Sequence, residues 1–332
     1  MSAEILDALR RGGFLADGDV ARLEPLTGGV SSDVFRLETA HGVYGVKRAL
    51  PKLRVAADWR APVERSHYEV EWLRASEPFA GGAIPKVIYE DRDAHLFVMT
   101  FFDPAAHSVW KSDLAAGEVD ADFAARVGSL LAALHAGAAG DPALAARFDT
   151  TALFEELRLA PFFRHAALAH PDLARRLVDL ADTTAARRIS LVHGDASPKN
   201  ILHGPAGPVL LDAECAWYGD PAFDLAFCTA HLHLKTVWKP AHAPAYLAAL
   251  ARLQAAYLAG VTWEAPAGLD ARAARLAAAI LLARVDGKSP AEYLQADADK
   301  AFVRGTARRL IAADVDGLDG LAAEWGRALE AR

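Results

Sequence analysis

The chain is poor in cysteine. It holds two, Cys215 and Cys228, in 332 residues. Two thiols cannot build a disulfide framework, and their spacing forms no metal motif. A reducing, cytoplasmic setting is therefore the expectation. Cys215 directly follows Glu214, so it reads either as a small buried apolar residue or as a neighbour of a site. Long hydrophobic runs are also missing. No stretch reaches the roughly 18 uncharged apolar residues of a membrane span. The best candidate, 276–283, is short and lies between Arg275 and Arg284. The opening MSAEILDALRRGGF has no long apolar core and does not read as a secretory signal. Basic charge is not in excess either: 36 Lys and Arg stand against 43 Asp and Glu, for a net charge of −7. That balance disfavours general binding to nucleic acid or to an anionic membrane, and is compatible with a cationic substrate. No internal repeat or low-complexity linker appears beyond a general alanine bias. What is present is 53% hydrophobic and 24% charged residues, the composition of a soluble globular protein. The length allows one large or two moderate domains with a sizeable core.

The most informative stretch is 191–214, LVHGDASPKNILHGPAGPVLLDAE. Leu191 and Val192 are apolar, and His193, Gly194 and Asp195 follow. Asn200 comes five residues after Asp195. Ile201 and Leu202 resume the apolar pattern, and 204–208 (GPAGP) is a turn signal. Val209 to Leu211 read as a short buried strand ending in Asp212 and Glu214. A strand pair of this kind holds an aspartate, an amide and a second carboxylate on one rigid edge. Asp195 is placed to accept a proton from an attacking hydroxyl. Asn200 and Asp212 are hard oxygen donors, which suit Mg²⁺ rather than zinc. That is equipment for phosphoryl transfer, in which positioning and charge neutralisation dominate.

HGDxxxxN followed by DxE resembles the signature of the aminoglycoside phosphotransferase and choline kinase superfamily, small-molecule relatives of the protein kinases. The DxE spacing, with the Tyr218-Gly219 stretch after it, is similar to that of methylthioribose kinases. The resemblance implies an α+β, protein-kinase-like bilobal fold: a small antiparallel N-lobe sheet with a helix over 1–102, and a larger, mainly helical C-lobe over 103–332. It implies ATP and Mg²⁺ as cofactors. It makes Asp195 the catalytic base, gives Mg²⁺ to Asn200 and Asp212, and makes Asp224 a structural aspartate that bonds the catalytic-loop backbone. Glu214 would bind a second Mg²⁺ directly or through water. Lys199 either touches the γ-phosphate or is solvated. Only 12 residues separate Asp212 from Asp224 (224 − 212), too few for a long activation segment. Gly194 stands where protein kinases keep an Arg that reads a phosphorylated loop. Both departures point to a small-molecule substrate.

The N-terminal third is expected to supply the nucleotide site. Residues 3–11 read as a short amphipathic helix closed by Gly12 and Gly13. Gly28 and Gly29 sit between two strand-like segments, with Ser31 and Ser32 after them. A glycine hairpin exposes backbone N–H groups to phosphate, and the serines add hydroxyl donors. Lys47 lies in the strand 42–49 and, by the resemblance, contacts the α- and β-phosphates. A helix is expected at 66–75. Its Glu69 shares a face with Trp72 and Leu73 and is favoured over Glu71 as the partner of Lys47. Strands are read at 84–89 and 95–102 around the charged turn 90–93. The second resembles the strand leading to a kinase hinge and places Met99 at the back of an adenine pocket.

Beyond Asp103-Pro104 the pattern is helical: 122–136 (with His135 at its C-terminus in a structural role), 154–159, 173–186, 243–259, 269–285, 290–294, 300–313 and 317–331. Trp217, Tyr218 and Trp238 are either core or a box for a choline-like cation. Asp220 either binds an amine or forms a turn. Arg284 and Lys288 either bind an anionic substrate group or serve capping and surface roles. His231 and His233 are not expected to form a metal pair. The sequence thus reads as a kinase acting on a small-molecule hydroxyl, with the acceptor open among amino alcohols, sugars and aminoglycosides. No dense acidic cluster is evident for an aminoglycoside. A non-catalytic nucleotide- or metabolite-binding pseudokinase is the alternative, though such proteins usually lose the base or a metal ligand. No nucleic-acid or membrane partner is expected, and the oligomeric state is left open.

Overall fold

The computed structural model of the chain describes residues 2–26, 31–52, 54 and 61–332. A helix, α1 (Ser2–Arg11), opens it. Strands β1 (Ala21–Leu26), β2 (Ser32–Thr39), β3 (Gly42–Ala49), β4 (Val87–Asp91) and β5 (Leu96–Thr100) form one sheet in the order β1-β2-β3-β5-β4. The paired neighbours are antiparallel throughout. Alternation along the strands gives the sheet two different faces. Phe35, Leu37, Val46, Leu96 and Val98 lie on one face and pack with Ile5, Ala8 and Leu9 of α1. Lys47 pairs in register with Phe97, and Gly45 with Met99, on the other face. Helix α2 (Arg65–Ala80) covers this second face, with Val70, Trp72 and Leu73 packed in the same core as Phe97.

The remainder is mainly helical. It comprises β6 (Ser108–Val109), α3 (Trp110–Ala116), α4 (Ala121–Ala138), α5 (Pro142–Arg147) and α6 (Thr151–Phe154). A π-helical segment (Glu155–Arg164) and α7 (His165–Ala169) continue α6 without a break, followed by α8 (Ala174–Ala186). The central strands are β7 (Ser190–Val192), β8 (Ile201–Gly204), β9 (Gly207–Leu210) and β10 (Trp217–Gly219). Then come α9 (Ala222–Trp238), α10 (Ala243–Ala259), α11 (Pro266–Asp286), α12 (Asp297–Ala313) and α13 (Gly317–Glu330). Helix α9 is the hub: every residue from Ala222 to Val237 is buried, against α4, α10 and α11. Helix α4 approaches α10 so closely that a Cβ on Gly128 would sit 2.2 Å from the carbonyl oxygen of Leu253. Among the described residues, no helix is long and apolar enough to cross a membrane.

Several elements differ from expectation. Helix α2 runs five residues past 75 and takes Pro78 into its last turn, ending on left-handed Gly81. A proline there loses one hydrogen bond, while Ala80 is still buried. Strand β4 extends over Glu90 and Asp91, which were expected to turn. Residues 290–294 are not a helix. They form a turn in which Ala291 N donates to Arg284 O at 2.7 Å. Helix α9 had no amphipathic signature, because burial on all sides erases the 3.6-residue alternation.

Candidate active site

The backbone of the loop that carries Asp195 is held by one buried carboxylate. Asp224, in the first turn of α9, accepts from His193 N at 2.8 Å (Oδ2) and from Gly194 N at 2.8 Å (Oδ1). Its Oδ2 also lies 3.1 Å from His135 Nε2, and His135 Nδ1 lies 2.7 Å from the Tyr257 hydroxyl. His135 is thus a buried strut rather than a simple helix-end cation. Gly194 has φ +77°, and a Cβ there would meet the Cys215 carbonyl oxygen at 2.6 Å. Only glycine fits that backbone. His193 is anchored as well. Its Nε2 is 3.0 Å from Leu211 O, its Nδ1 accepts from Asp195 N at 3.1 Å, and its ring packs edge-on against Trp72. Burial lowers the His193 pKa despite the carboxylates around it, so the ring is held neutral.

Asp195 is 3% exposed. Three donors converge on its Oδ2: Asn200 Nδ2 at 2.9 Å, Lys199 Nζ at 2.9 Å and Arg158 Nη2 at 3.0 Å. No described residue bonds Oδ1. Burial alone would raise this carboxyl, but the cations of Lys199 and Arg158 outweigh it and hold the pKa below the usual range. Asn200 Nδ2 also donates to the Asp195 carbonyl at 3.0 Å, which leaves the amide oxygen facing away from Asp195. Leu211 N donates to Asn200 O at 2.8 Å, so the loop and the segment that carries Asp212 just after β9 are locked together. Asp212 adopts φ +70°, a left-handed conformation unusual for a residue with a Cβ.

Lys47 Nζ joins the sheet to this loop. It bonds Glu69 at 2.8 Å (Oε1) and 2.6 Å (Oε2), and it also ion-pairs with Asp212. Glu69, not Glu71, lies against Lys47. Glu71 pairs instead with Arg74 at 3.1 Å and Arg147 at 3.3 Å. Burial lowers the Lys47 pKa, but Asp212 and Glu69 more than reverse this and keep it charged. Asp212 is held well below the ordinary carboxylate range by Lys47 and Lys199, against the opposing effect of burial.

Glu214 is bound by Arg65 Nε at 3.0 Å. Arg65 is fully buried and donates further to the carbonyls of Ser31 (2.5 Å), Leu50 (2.7 Å), Pro62 (2.8 Å) and Ala61 (3.1 Å). Ser31 and Ser32 are buried at the start of β2. Met99 lies half-buried on the Lys47 face of the sheet, in space left by Gly45. Gly28 and Gly29 fall outside the described residues. Two side chains central to the site, Arg158 and Arg65, were absent from the sequence reading. Arg158 also donates Nε to the Gly194 carbonyl at 2.6 Å. Neither arginine lies in a recognisable motif, and each reaches the site across more than 30 residues of chain.

Other candidates do not gather here. Trp217 is core, stacked on Phe154 at 4.2 Å, and the Tyr218 hydroxyl donates to Ile189 O at 2.9 Å. Asp220 pairs with Arg272 at 2.8 and 3.0 Å and is not open to a substrate amine. Cys215 is the exception: it is buried beside Ala61 and Leu157 and also lies against Gly194, next to Asp195. His231 and His233 point to different partners, Tyr293 and the Thr229 carbonyl.

Comparison with known proteins agrees with this geometry. The chain is 26% identical over 292 residues to a methylthioribose kinase of Yersinia enterocolitica, covering 79% of this chain and 73% of that protein. It is 24% identical over 264 residues to methylthioribose kinase 2 of Oryza sativa subsp. japonica, covering 71% of this chain and 61% of the relative. Among solved structures, a choline/ethanolamine kinase family protein of Mesorhizobium loti superposes with a TM-score of 0.53 at 16% identity, covering 100% of this chain and 99% of that one. An ethanolamine kinase of Plasmodium vivax gives 0.55 at 12%, covering 92% and 85%. At such identities these structures show a shared kinase-like fold. Residues 22–269, from β1 through the catalytic loop and into α11, match the model of the phosphotransferase enzyme family, and the chain belongs to that family.

Proposed function

We propose that this protein is an ATP- and Mg²⁺-dependent kinase that transfers phosphate to a hydroxyl of a small molecule. The observation that carries the reading is the convergence of Lys47, Glu69 and Asp212 next to the Asp195–Asn200 pair. The donor set suits the metal: Asn200 and Asp212 offer hard oxygens, and their neighbours Lys47 and Lys199 keep Asp212 ionised. Glu214, already neutralised by Arg65, is the weaker donor. When bound, Mg²⁺ supplies charge neutralisation at the phosphate oxygens.

The chain's own residues do the rest. Residues 1–102 and 103–332 act as two lobes with the nucleotide between them. Lys47, oriented by Glu69, binds phosphate oxygens, with Met99 lining the adenine side. Asp195 orients the acceptor hydroxyl and takes its proton at Oδ1, the oxygen left open when Asn200, Lys199 and Arg158 engage Oδ2. Lys199, half-exposed, neutralises charge on the transferred group. Asp224 holds the loop so that none of this needs reorganisation during the reaction.

The test is ADP release with a panel of hydroxylated acceptors: choline, ethanolamine, sugars including methylthioribose, and aminoglycosides. Asp195→Ala should lower turnover by about 100-fold or more while ATP binding persists. Turnover near that of the unmodified protein would exclude Asp195 as the base. Nucleotide binding without turnover of any acceptor would mark a non-catalytic binder.

A further inference from the structure

Beside Asp195 the helical half holds a chain of cations joined through shared aromatic rings. Arg158, which pairs with Asp195, lies 5.8 Å over the ring of Phe162 and also 5.8 Å over that of Phe227. Arg284, from α11, lies over the same Phe162 at 5.9 Å. Phe227 packs on His231 at 5.1 Å, and His231 Nδ1 is 3.3 Å from the Tyr293 hydroxyl. One turn along α9, Lys235 places Nζ 3.6 Å from the centroid of Tyr293 and 4.3 Å from that of Trp238.

Negative charge does not match this. Asp195 is shared by Lys199 and Arg158, and Glu292 is taken by Lys111. Among the described residues, neither Lys235 nor Arg284 has a carboxylate partner. Both are buried, at 1% and 9% exposure. Lys235 Nζ and Arg284 Nε have no hydrogen-bond partner among the described residues. The bonds Arg284 does make go to the neutral oxygens of Ser289. Buried cations without a counter-charge are costly to keep and need a reason. The local field agrees with the geometry. His231 is held neutral by burial and by Arg284 and Lys235; of the carboxylates, Glu292 acts from a distance on both cations and Asp195, more weakly, on Arg284. Arg284 and Arg158 share the Phe162 ring and Arg158 pairs with Asp195, which places Arg284 two contacts from the proposed base. The aromatic box that a choline-like ammonium would require, Trp238 with Tyr293, is filled by the chain's own Lys235.

We propose that Lys235 and Arg284 form an anion subsite of the acceptor pocket, so that the phosphorylated molecule carries a carboxylate or phosphate group as well as its hydroxyl. This rests on the kinase reading above and narrows its substrate class. Lys235 and Arg284 would bind the anionic group while the hydroxyl faces Asp195.

The experiment compares acceptors differing only in charge: glycerate with glycerol, gluconate with glucose, and glucose 6-phosphate with glucose, with choline and ethanolamine as cationic controls. ADP release is measured for the full chain and for Lys235→Met and Arg284→Met. The expected result is an acidic acceptor favoured about tenfold or more in kcat/KM over its neutral match. In both variants the preference should collapse, chiefly through KM. The carboxylate and phosphate arms tell which group is read. Preference for a neutral or cationic acceptor, or an acidic preference untouched in both variants, would overturn the subsite. Should no acceptor release ADP, the kinase reading fails, but the subsite is still decided by thermal shift. With ADP and Mg²⁺ saturating and ionic strength fixed, gluconate or inorganic phosphate should stabilise the unmodified protein and not Lys235→Met. Equal shifts, or none, would refute it. Melting temperatures of the variants in the same assay report their folding.

Discussion

Asp224 offers a sharp test of how the site is held. Its carboxylate accepts two catalytic-loop N–H groups at 2.8 Å and meets His135 Nε2 at 3.1 Å, with no solvent access. Asp224→Asn keeps the shape but replaces one acceptor oxygen by a donor. Whichever way the amide turns, either His193 N or Gly194 N faces an NH₂ group and loses its bond. His135 can adapt by changing tautomer; the backbone cannot. Leaving one buried N–H unsatisfied costs about 1–3 kcal/mol, and the surviving bond loses its charge assistance. The expected loss of stability is therefore about 2–4 kcal/mol. Asp224→Ala leaves both N–H groups unpaired and should cost about twice as much. Urea unfolding measures both. The loop also carries Asp195, so turnover should fall in Asp224→Asn even at temperatures where the variant is fully folded. An Asn variant within about 0.5 kcal/mol of the parent, near the scatter of surface substitutions, would refute the account.

Three further outcomes are expected. Glu69→Gln should lower kcat/KM by about tenfold or more by freeing Lys47, whereas Glu71→Gln, whose carboxylate meets only arginines on the far side, should change it less than about twofold; equal effects in steady-state assays would count against the pairing. Arg158→Met should depress kcat more than ATP affinity, because it removes a cation from Asp195 and a donor from the Gly194 carbonyl; an unchanged kcat would remove Arg158 from the site. Burial, with Lys111 nearby, lowers the Lys235 pKa to about 7 from 10.5. The unfolded chain then holds the extra proton between those values, so the penalty is largest below about pH 7 and fades as pH rises toward 10.5. Lys235→Met should accordingly be more stable than the parent by about 2 kcal/mol or more at pH 7, with the gap closing near pH 10; a gap independent of pH would argue against a buried, unpaired ammonium.

The parts of this protein that were legible in its sequence are those written contiguously. His193 through Asn200 and Asp212 through Glu214 flank the short β8–β9 hairpin on either side, so local spacing alone brings them side by side. Glu69 could be separated from Glu71 because helical periodicity put it on the face of Trp72 and Leu73, and that face is the buried one. The opposite holds for Arg65 and Arg158. Their roles depend on packing between distant segments, and a lone arginine in a helix looks like a surface charge. Helix α9 was hidden by its own burial. Trp217 and Tyr218 offered aromatic chemistry to a substrate on paper, yet the core needed them more. Arg284 was left open between an anion-binding and a capping role, because only the fold reveals that no carboxylate among the described residues makes an ion pair with it.

Arg65 has a mechanical consequence. A single guanidinium gathers carbonyls from Ser31 just before β2, from the exit of β3 and from the entry to α2, while its Nε grips Glu214 just past Asp212. Of these five bonds only the one to Glu214 crosses, so the sheet cannot drift away from the segment after β9 without breaking the Arg65–Glu214 pair. Any opening between the sheet and that segment would pivot on the Arg65–Glu214 pair, with the Lys47–Asp212 ion pair as the other link to part.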